Sequence, residues 1–592
     1  MAQKQTPMKT TEERSRDSWM ILLFLFIGVA VAFWILYYGF HLRMYQIIAV
    51  LLAICTPIYC LIQVLRYWAE LPSLMEKQWP KNRLYVSDSY VKKCMAEAVR
   101  TKSTLLGFED SNRKPIYWTQ EMRSGQSNLP GKTGSGKTTL LMNVIEQDIH
   151  QGHPLIVIEG KGDKSFVMDV RNIANAAGRG SDVRILDPSH PEISCGFNPF
   201  IAKDGKLIER VGAVFDSLSA AQAKDEFFAE HQRGYLHAVA VILGHNKKPF
   251  TFVDILLVCQ DPALMGRVIE DCRARMDSDP TTTERDRWHF NLMVETLAGM
   301  WKEKDWLAKI RGLLNSFMPF VSGPLSIITG GGTDLITFED VAEKNLILVV
   351  SLNLGADVQV QKALGRILLR NLQFMIASRY DEYKLRKQYP FLSVVLDEFG
   401  LFCYSDFKNI VHTARQANAA FIFSFQNMEQ LAQDVGDAFA SDMMNSPQNL
   451  FMLRMSDQST AEHFLNASAR VPKQRVSLRV EKGSVLDRKV YTEEGSGTQQ
   501  EVMDTQVEDR QIKQLPMGQA MAIFPDRDTG IAVKHFHTLR PLNTAIVQLP
   551  EWVPALKRPA EDNPMLDLKS GLLVKKPVPD STQKMRRKRN AN

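Results

Sequence analysis

Hydrophobic residues form two long uncharged runs near the start of the chain. The first run is Trp19 to Phe40, and the second is Met44 to Leu65. At ~1.5 Å per residue, a helix of this length spans the ~30 Å hydrocarbon core of a bilayer. A cleavable signal peptide does not fit, because the first run is too long and the second follows at once. A pair of buried core helices is the weaker alternative. The pattern therefore predicts two transmembrane helices within residues 19–68, after a segment of residues 1–18.

Positive charges lie on the outer flanks of these two runs. Lysine and arginine occupy four positions before the first run and four soon after the second, whereas the loop between the runs contains only Arg43. By the positive-inside rule, both outer flanks face the cytoplasm. We therefore expect a multi-pass membrane protein whose termini and main body are cytoplasmic.

Beyond residue 69 the chain alternates between short apolar runs and helical patterns. Five of the apolar runs are candidate strands: Pro154–Glu159, Val183–Pro188, Asn345–Ser351, Phe391–Glu398 and Ala420–Ser424. Alternating strands and helices are typical of a parallel sheet that is covered on both faces. The predicted fold class is therefore α/β, with one sheet domain assembled from residues 69–204 and 326–550.

The stretch of residues 205–325 interrupts this alternation. Its apolar residues recur at helical spacing. One helical stripe contains Phe227, Phe228, Tyr235, Leu236, Val239, Ile242 and Leu243. We interpret this stripe as ordinary core, and the whole stretch as an inserted all-helical domain.

A glycine-rich motif carries the clearest chemical signal. It reads Gly131-Lys132-Thr133-Gly134-Ser135-Gly136-Lys137-Thr138 and fits G-x-x-x-x-G-K-[ST], the phosphate-binding loop. Glycines let successive backbone N–H groups converge on one anion. Lys137 supplies a point charge for the β- and γ-phosphates, and the Thr138 hydroxyl is a ligand for Mg²⁺. A helix that continues through Thr139 would direct its positive end at the same phosphates. These residues predict a site for ATP and Mg²⁺.

Two features near the motif fit less well. The preceding segment, Ser127–Pro130, is a poor candidate for a buried strand, because proline cannot donate to a central ladder. Lys132 is also an unusual residue at its place in the loop. We interpret Lys132 as a local variation.

An acidic pair at the end of the fourth apolar run supplies the second half of the predicted site. Asp397 is expected to hold the water shell of Mg²⁺, and Glu398 to polarise the attacking water as a general base. An Asp-Glu pair after an apolar run is common at strand ends. Its combination with a complete phosphate-binding loop makes the prediction specific.

Three further polar residues are candidates for the same site. Gln426 follows the fifth apolar run, where RecA-like motors have a polar residue that senses the γ-phosphate, although a surface glutamine that caps a strand is an alternative. Arg415 and Arg454 are both candidates for an arginine finger that acts on a neighbouring subunit. The sequence does not choose between the two arginines.

The charge distribution and the cysteine spacing argue against two classes of protein, broadly basic nucleic-acid-binding proteins and zinc proteins. The net charge of +6 is concentrated in residues 551–592, which carry ten basic and five acidic groups, so the body is close to neutral. This argues against a broadly basic nucleic-acid-binding surface. The seven cysteines form no CxxC pair and no His-Cys cluster with zinc spacing. A reduced cytoplasmic body without a zinc site is expected.

Together these features resemble the TraG/TraD-type coupling ATPases of type IV secretion and bacterial conjugation. The resemblance covers roughly residues 19–545 and departs at Glu159-Gly160, where an Asp-Pro-like pair is commoner. Smaller motifs agree in their order: Lys161-Gly162-Asp163, Phe197-Asn198-Pro199, Asp397-Glu398-Phe399, Gln426 in Phe425–Leu431, and Leu515-Pro516-Met517-Gly518.

The resemblance implies a homo-hexameric ring of RecA-like domains on the bacterial inner membrane. Such a ring gathers relaxosome-bound single-stranded DNA, or protein substrates, and delivers them to type IV secretion channel components by ATP hydrolysis. On this basis Lys137 and Thr138 bind nucleotide and Mg²⁺, Asp397 completes the metal site, and Glu398 activates water.

Two other functions are alternatives. An FtsK-like translocase of duplex DNA would usually carry more membrane spans and a winged-helix end, and neither is evident in the sequence. A non-hydrolysing docking platform would have no use for a general base such as Glu398. The tail of residues 551–592 is rich in Pro, Lys and Arg, and we expect it to be disordered. It either binds DNA phosphates or anionic lipid, or has no binding role.

Overall fold

The computed structural model describes residues 86–541 with short gaps, together with Trp34, Tyr38 and Gln46. The gaps are 204, 219–225, 247–248, 331–334, 354–357, 382–388, 469, 479–496 and 527–529. Apart from these three residues, the predicted transmembrane helices lie outside the described part of the chain, as do the predicted N-terminal segment and basic tail. Among the residues that are described, no helix is both long and apolar enough to cross a membrane. The chain separates into two compact units, Met1–Arg83 and Leu84–Asn592.

The described residues contain thirteen strands, and the five predicted strands are confirmed as β4 to β8. Each lies within two residues of its predicted bounds. The strands are β1 Ser103–Glu109, β2 Pro115–Thr119, β3 Ser127–Pro130, β4 Leu155–Glu159, β5 Val183–Leu186, β6 Ile347–Ser351, β7 Leu392–Asp397, β8 Ala419–Phe425, β9 Asn449–Met452, β10 Arg470–Leu478, β11 Gly497–Thr505, β12 Gln519–Asp526 and β13 Gly530–Thr538.

Eleven of these strands form one sheet in the order β2-β1-β13-β12-β9-β3-β8-β7-β4-β6-β5. The strands from β9 to β5 are parallel to one another. The strands β12, β13, β1 and β2 extend the sheet in antiparallel fashion, and β10 and β11 form a separate hairpin. The predicted α/β class with a large parallel sheet is confirmed. All carboxyl ends of the parallel strands lie at one edge, where such sheets bind ligands.

The segment Ser127–Pro130 is strand β3, so the expectation of a poor buried strand was wrong. All of its residues are buried, and it lies between β8 and β9. The Asn128 NH₂ group donates to the Met443 carbonyl at 2.8 Å, which gives this buried donor an acceptor inside the core. Pro130 is the last residue of the strand, and the pairing with β9 already ends at Asn128. The missing proline N–H therefore does not interrupt the ladder.

Helices cover both faces of the sheet, as the alternation of strands and helices predicts. They are α1 Asp88–Arg100, α2 Gln120–Arg123, α3 Lys137–His150, α4 Lys164–Ala176, α5 Leu207–Ser217, α6 Glu226–Gly244, α7 Phe252–Gln260, α8 Pro262–Ser278, α9 Glu284–Trp301, α10 Trp306–Val321, α11 Gly323–Thr329, α12 Phe338–Glu343, α13 Val358–Asp381, α14 Lys408–Ala414, α15 Met428–Ala432, α16 Asp437–Asn445, α17 Gln458–Ala467 and α18 Asp509–Lys513. Single turns of 3₁₀ helix occur at Gly180–Asp182, Pro191–Ile193, Phe399–Leu401 and Ser405–Phe407.

Successive residues of each buried strand contribute to two different apolar clusters. In β4, Val157 packs in a cluster with α3 and α4, whereas Ile156 and Ile158 pack in the cluster on the opposite face. This follows from the two-residue period of a strand, which directs alternate side chains to opposite faces. Both faces of the parallel strands are therefore buried, so their ends are held rigidly.

The helices α5 to α11, which fall mostly within residues 205–325, share a core with the sheet. Tyr235, Phe252 and Phe317 belong to the same apolar cluster as Ile156 and Leu396 of the central strands. Trp301 Nε1 also donates to the Tyr235 hydroxyl at 3.0 Å. The division into the predicted domains stays a prediction. Any motion of these helices relative to the sheet would disrupt this common core.

The helical stripe of residues 227–243 is core only in part. Its last five members are buried in α6, as expected, but Phe227 and Phe228 are 60% and 39% exposed. Both lie in the first turn of α6, where the helix extends past the core, so the expectation was wrong for these two residues.

Candidate nucleotide site

The glycine-rich motif connects central strand β3 to helix α3. Gly134 and Gly136 have φ angles of 77° and 105°, in the left-handed region that favours glycine. A Cβ on Gly131 would lie 2.8 Å from Ser135 Oγ, which is too close. Gly136 precedes α3 and has no side chain to cap it, so the first N–H groups of the helix are directed at the loop. This is the geometry of an anion cradle.

Lys137 is buried at the centre of the loop. Its ammonium donates to the Gly131 carbonyl at 2.5 Å and to the Phe425 carbonyl at 3.3 Å. It also lies 3.8 Å from Glu398 Oε1. Burial lowers the pKa of Lys137, and the charges of Glu398 and Asp397 oppose that shift in part. The cation is thus held between the phosphate-binding loop and the acidic pair.

The acidic pair ends strand β7, and strand β8 separates β7 from β3. Asp397 Oδ1 accepts a hydrogen bond from Ser424 Oγ at 2.6 Å. Glu398 directly follows the strand in the left-handed conformation, with φ 55° and ψ 36°. A residue other than glycine rarely adopts this conformation, which costs about 1–2 kcal/mol. The strained turn directs the Glu398 carboxylate back toward Lys137.

Gln426 lies where the sequence predicted it, directly after β8. Its side-chain amide donates to Glu398 Oε2 at 3.4 Å. Gln430 donates to the same oxygen at 3.0 Å, and its carbonyl oxygen accepts the Gln426 backbone N–H at 2.7 Å. Two glutamines therefore orient the predicted general base, and Gln430 is a contact that the sequence reasoning missed.

Lys161 is a second residue of the site that the sequence reasoning did not assign. Its ammonium forms an ion pair with Glu398 Oε1 at 2.8 Å and lies 3.9 Å from Asp397 Oδ2. The Lys161 side chain is 40% exposed, whereas both carboxylates are buried. The sequence signal for Lys161 was the Lys161-Gly162-Asp163 motif. This motif contributed to the family resemblance, but no chemical role was assigned to it.

Glu159 anchors the loop that carries Lys161. Its carboxylate accepts the backbone N–H groups of Lys161 at 2.6 Å, Gly162 at 2.8 Å and Asp163 at 3.0 Å. Burial raises the pKa of Glu159, although these three donors act to lower it. Glu159, which stands where an Asp is commoner, therefore anchors the loop through its carboxylate.

The two lysines determine the charge of Glu398. Burial acts to raise its pKa, but Lys137 and Lys161, with the hydrogen bond from Gln430, outweigh burial and lower the pKa below its usual range. The carboxylate is therefore ionised at neutral pH, as a general base must be. Both of its oxygens are engaged by side chains of the protein.

The remaining residues of the loop differ in exposure. Lys132, Thr133, Gly134 and Thr138 are exposed, Ser135 is buried, and Gly136 and Thr139 are half-buried. The Lys132 N–H donates to the Arg454 carbonyl at 3.4 Å. Lys132 is thus at the surface of the loop, and its interpretation as a local variation stays a prediction.

A groove of about 390 Å³ begins at the two threonines that follow Lys137. It lies between α3 and α4 and is lined by Thr138, Thr139, Met142, Asp169, Asn172, Ile173, Arg540 and Pro541. Asn172 Oδ1 is shielded from solvent and accepts no hydrogen bond from the protein. The groove continues the phosphate cradle and offers carboxylate and amide oxygens.

The two candidate arginines lie at opposite edges of the sheet. Arg454 follows β9 beside the phosphate-binding loop of its own chain. Arg415 is exposed and precedes β8, at the edge where the parallel strands begin. The length of β8, about 3.3 Å per residue, separates Arg415 from the site at the other end of that strand. Arg415 is therefore remote from the site of its own chain.

The residues fit a magnesium ion that is held chiefly by phosphates and water. In the part of the chain that the structure describes, no three His, Cys, Asp or Glu side chains are grouped as metal ligands. Mg²⁺ bound to nucleotide needs only one or two protein oxygens. The exposed Thr138 hydroxyl and the Asp397 carboxylate supply oxygens of the required type.

A phosphate-binding loop and an acidic pair at the same edge of a parallel sheet define a P-loop nucleotide-binding fold. A family described as the TraM recognition site of TraD and TraG matches residues 392–516, which include β7, Asp397 and Glu398. The type 4 coupling protein DotL of Legionella pneumophila is 21% identical over 411 residues, covering 62% of this chain and 52% of DotL. The chain therefore spans about half the length of that relative. These matches confirm the resemblance to TraG/TraD-type coupling proteins.

Solved structures of the plasmid coupling protein TrwB are similar at low sequence identity. The trigonal form with sulphate has 15% identity and a TM-score of 0.48, covering 78% of this chain and 95% of the TrwB chain. TrwB in complex with ADP and Mg²⁺ has 15% identity and a TM-score of 0.48, with coverage of 78% and 94%. TrwB in complex with the GTP analogue GDPNP has 14% identity and a TM-score of 0.45, with coverage of 77% and 92%.

Proposed function

We propose that this protein is a membrane-anchored coupling ATPase that recruits DNA-bound or protein substrates for type IV secretion. The observation that carries the proposal is the meeting of Lys137 with Glu398 across strand β8, at 3.8 Å. An ionised base and a phosphate-binding cation in one buried site form the machinery of nucleotide hydrolysis. The proposed substrate is ATP with Mg²⁺.

Each residue of the site has a proposed task. Lys137 and the N–H groups at the start of α3 bind the β- and γ-phosphates. Glu398 takes a proton from the attacking water, and Gln426 stays within reach of both the base and the terminal phosphate. Thr138 and Asp397 would be the protein ligands of Mg²⁺, which would neutralise charge on the phosphates. The groove that begins at Thr139 receives the nucleoside.

In a ring of subunits, an arginine of one chain would complete the site of its neighbour. Arg415 is exposed and lies a strand length from the site of its own chain, so it is available to the site of a neighbouring subunit. Arginine fingers supplied in trans stabilise the charge that develops during phosphoryl transfer. We therefore propose a homo-hexamer in which Arg415, rather than Arg454, acts between subunits.

The membrane anchor and the cargo complete the proposal. The two apolar runs within residues 19–68 would fix the protein to the bacterial inner membrane with its catalytic body in the cytoplasm. The candidate cargo is relaxosome-bound single-stranded DNA or a secreted protein. Intact Lys137, Asp397 and Glu398 argue against a docking platform that does not hydrolyse nucleotide.

Hydrolysis of ATP by the full chain tests the proposal directly. The rate is measured with and without single-stranded DNA, beside Lys137→Ala and Glu398→Gln. We expect hydrolysis by the wild type and a loss of at least ~100-fold in each variant, because Lys137 binds the reacting phosphate and Glu398 activates the attacking water. Glu398→Gln should still bind ATP. Hydrolysis that survives in both variants would refute the assigned site, and hydrolysis that ignores DNA would favour a protein cargo.

A further inference from the structure

The ammonium of Lys161 occupies the space between the two carboxylates on which hydrolysis would depend. It pairs with Glu398 Oε1 at 2.8 Å and lies 3.9 Å from Asp397 Oδ2. The other oxygens of the pair are engaged by neutral groups: Ser424 donates to Asp397 Oδ1, and Gln430 to Glu398 Oε2. Lys161 is therefore a counter-ion of Glu398 Oε1 and Asp397 Oδ2, and it shares Glu398 Oε1 with Lys137, which lies 3.8 Å away.

The backbone beneath Lys161 is fixed, so only its side chain is free to exchange partners. Glu159 accepts three consecutive N–H groups of the loop. Gly162 has a φ of 73°, and a Cβ there would lie 2.9 Å from Asn353 Cα, so the loop is packed against its neighbour. A half-exposed lysine on a flexible four-carbon stem can move its charge by several ångströms without moving this backbone.

Two lysines and three carboxylates set the charge of the site. Lys137 and Lys161 offset the charges of Asp397 and Glu398, and Glu159 is the strand residue paired with Asp397. Loss of one lysine charge would leave a larger excess of negative charge beside the phosphate cradle. That excess would attract a lone divalent cation and repel a polyanionic nucleotide, because Coulomb terms of opposite sign act on the two ligands.

We propose that Lys161 is a positioning residue that competes with Mg²⁺ for Asp397 and Glu398 and passes to the phosphates when nucleotide binds. The proposal rests on the nucleotide site described above. In this exchange Lys161 gives up Glu398 Oε1 to the attacking water, and its charge then offsets that of the terminal phosphate. The site is thereby kept from binding Mg²⁺ alone and is opened by the metal and nucleotide together.

Two binding titrations on the full chain test this exchange. One measures the affinity for Mg²⁺ without nucleotide, and the other measures the affinity for ATP in the presence of EDTA. For Lys161→Met we expect Mg²⁺ to bind about tenfold more tightly and metal-free ATP about tenfold more weakly. Lys161→Arg, which retains the charge, should stay close to the wild type. Lys164→Met removes the same charge from the exposed start of α4 and should change neither affinity.

The outcomes separate this inference from the proposed function. If the wild type binds no nucleotide, the proposed function fails. If the wild type binds ATP but Lys161→Met matches Lys164→Met in both titrations, the exchange is refuted and the nucleotide site stands. A fall of both affinities together, with a lower melting temperature, would show that Lys161 only supports the fold and would also refute the exchange.

Discussion

Replacement of Glu159 by glutamine would test how the loop of residues 160–163 is held in place. One carboxylate oxygen accepts the N–H of Lys161, and the other accepts those of Gly162 and Asp163. A glutamine side chain has one acceptor oxygen and one amide donor. Its oxygen can still accept the N–H groups of Gly162 and Asp163. Its NH₂ group then faces the Lys161 N–H, so that two donors are opposed without an acceptor.

The structure gives the size of the effect. Glu159 Oε1 and the Lys161 N–H are 2.6 Å apart, so the substitution removes one charge-assisted bond and leaves a donor without an acceptor. Such a loss costs about 1–3 kcal/mol. Local opening of the loop should become easier by that amount, which is roughly 5- to 150-fold in its equilibrium constant.

Hydrogen–deuterium exchange of the full chain measures this opening directly. The amides of residues 161–163 should exchange faster by that factor in Glu159→Gln, while the amides of β4 change little. Glu192→Gln, at an exposed position, is the matched control. ATP hydrolysis should also fall, because the loop positions Lys161. Unchanged exchange at all three amides would refute the anchoring role of Glu159.

The other predictions concern the core and the ring. Asp148 pairs with Arg123 in the core at 2.5 Å, and although burial acts to raise its pKa, Arg123 holds that pKa below its usual range. Asp148→Asn should cost about 3–5 kcal/mol of stability at neutral pH, because it leaves the Arg123 charge buried and unpaired. A carboxylate whose pKa is depressed by folding contributes stability that is lost as the pH falls through its pKa in the folded state. The stability deficit of Asp148→Asn should therefore shrink below about pH 4. Urea unfolding at several pH values measures this deficit, and a deficit that does not depend on pH would contradict the pairing. For the ring, Arg415→Ala and Lys137→Ala subunits should each be inactive alone but recover part of the ATPase rate when mixed, because some interfaces then combine an intact Lys137 site with an intact Arg415. The ATPase rate of Arg454→Ala subunits should not rise on mixing. A mixture of Arg415→Ala and Lys137→Ala subunits that stays inactive would contradict the proposed action of Arg415 on a neighbouring subunit.

The central parallel strands were predictable from the sequence, because burial on both faces requires a run of apolar residues. The strands β4, β6 and β7 are nearly uninterrupted apolar runs, as expected for a sheet buried on both faces. Strand β3 was missed because Pro130 argued against a central strand, while the acceptor of the buried Asn128 NH₂ group is distant in sequence. No local pattern reveals a partner that lies about 300 residues away.

The site was predictable where one short motif specifies a conformation. Gly134, Gly136 and Lys137 belong to such a motif, and the structure shows the backbone that the motif requires. Lys161 was not assigned, because its role depends on β4 lying beside β7 in the sheet. Likewise, the prediction that Phe227 is core is wrong, because helical spacing identifies a face of a helix but not where the neighbouring core ends.

The end of strand β8 makes the parts of the site interdependent. Three consecutive residues each hold a different group: Ser424 bonds Asp397, the Phe425 carbonyl accepts from Lys137, and Gln426 bonds Glu398. A shift of this tripeptide therefore changes the metal ligand, the phosphate-binding cation and the base at once. Substitutions at these groups should give non-additive effects in double-mutant cycles. The end of strand β8 thus couples the three groups, so that a change at one of them is transmitted to the other two.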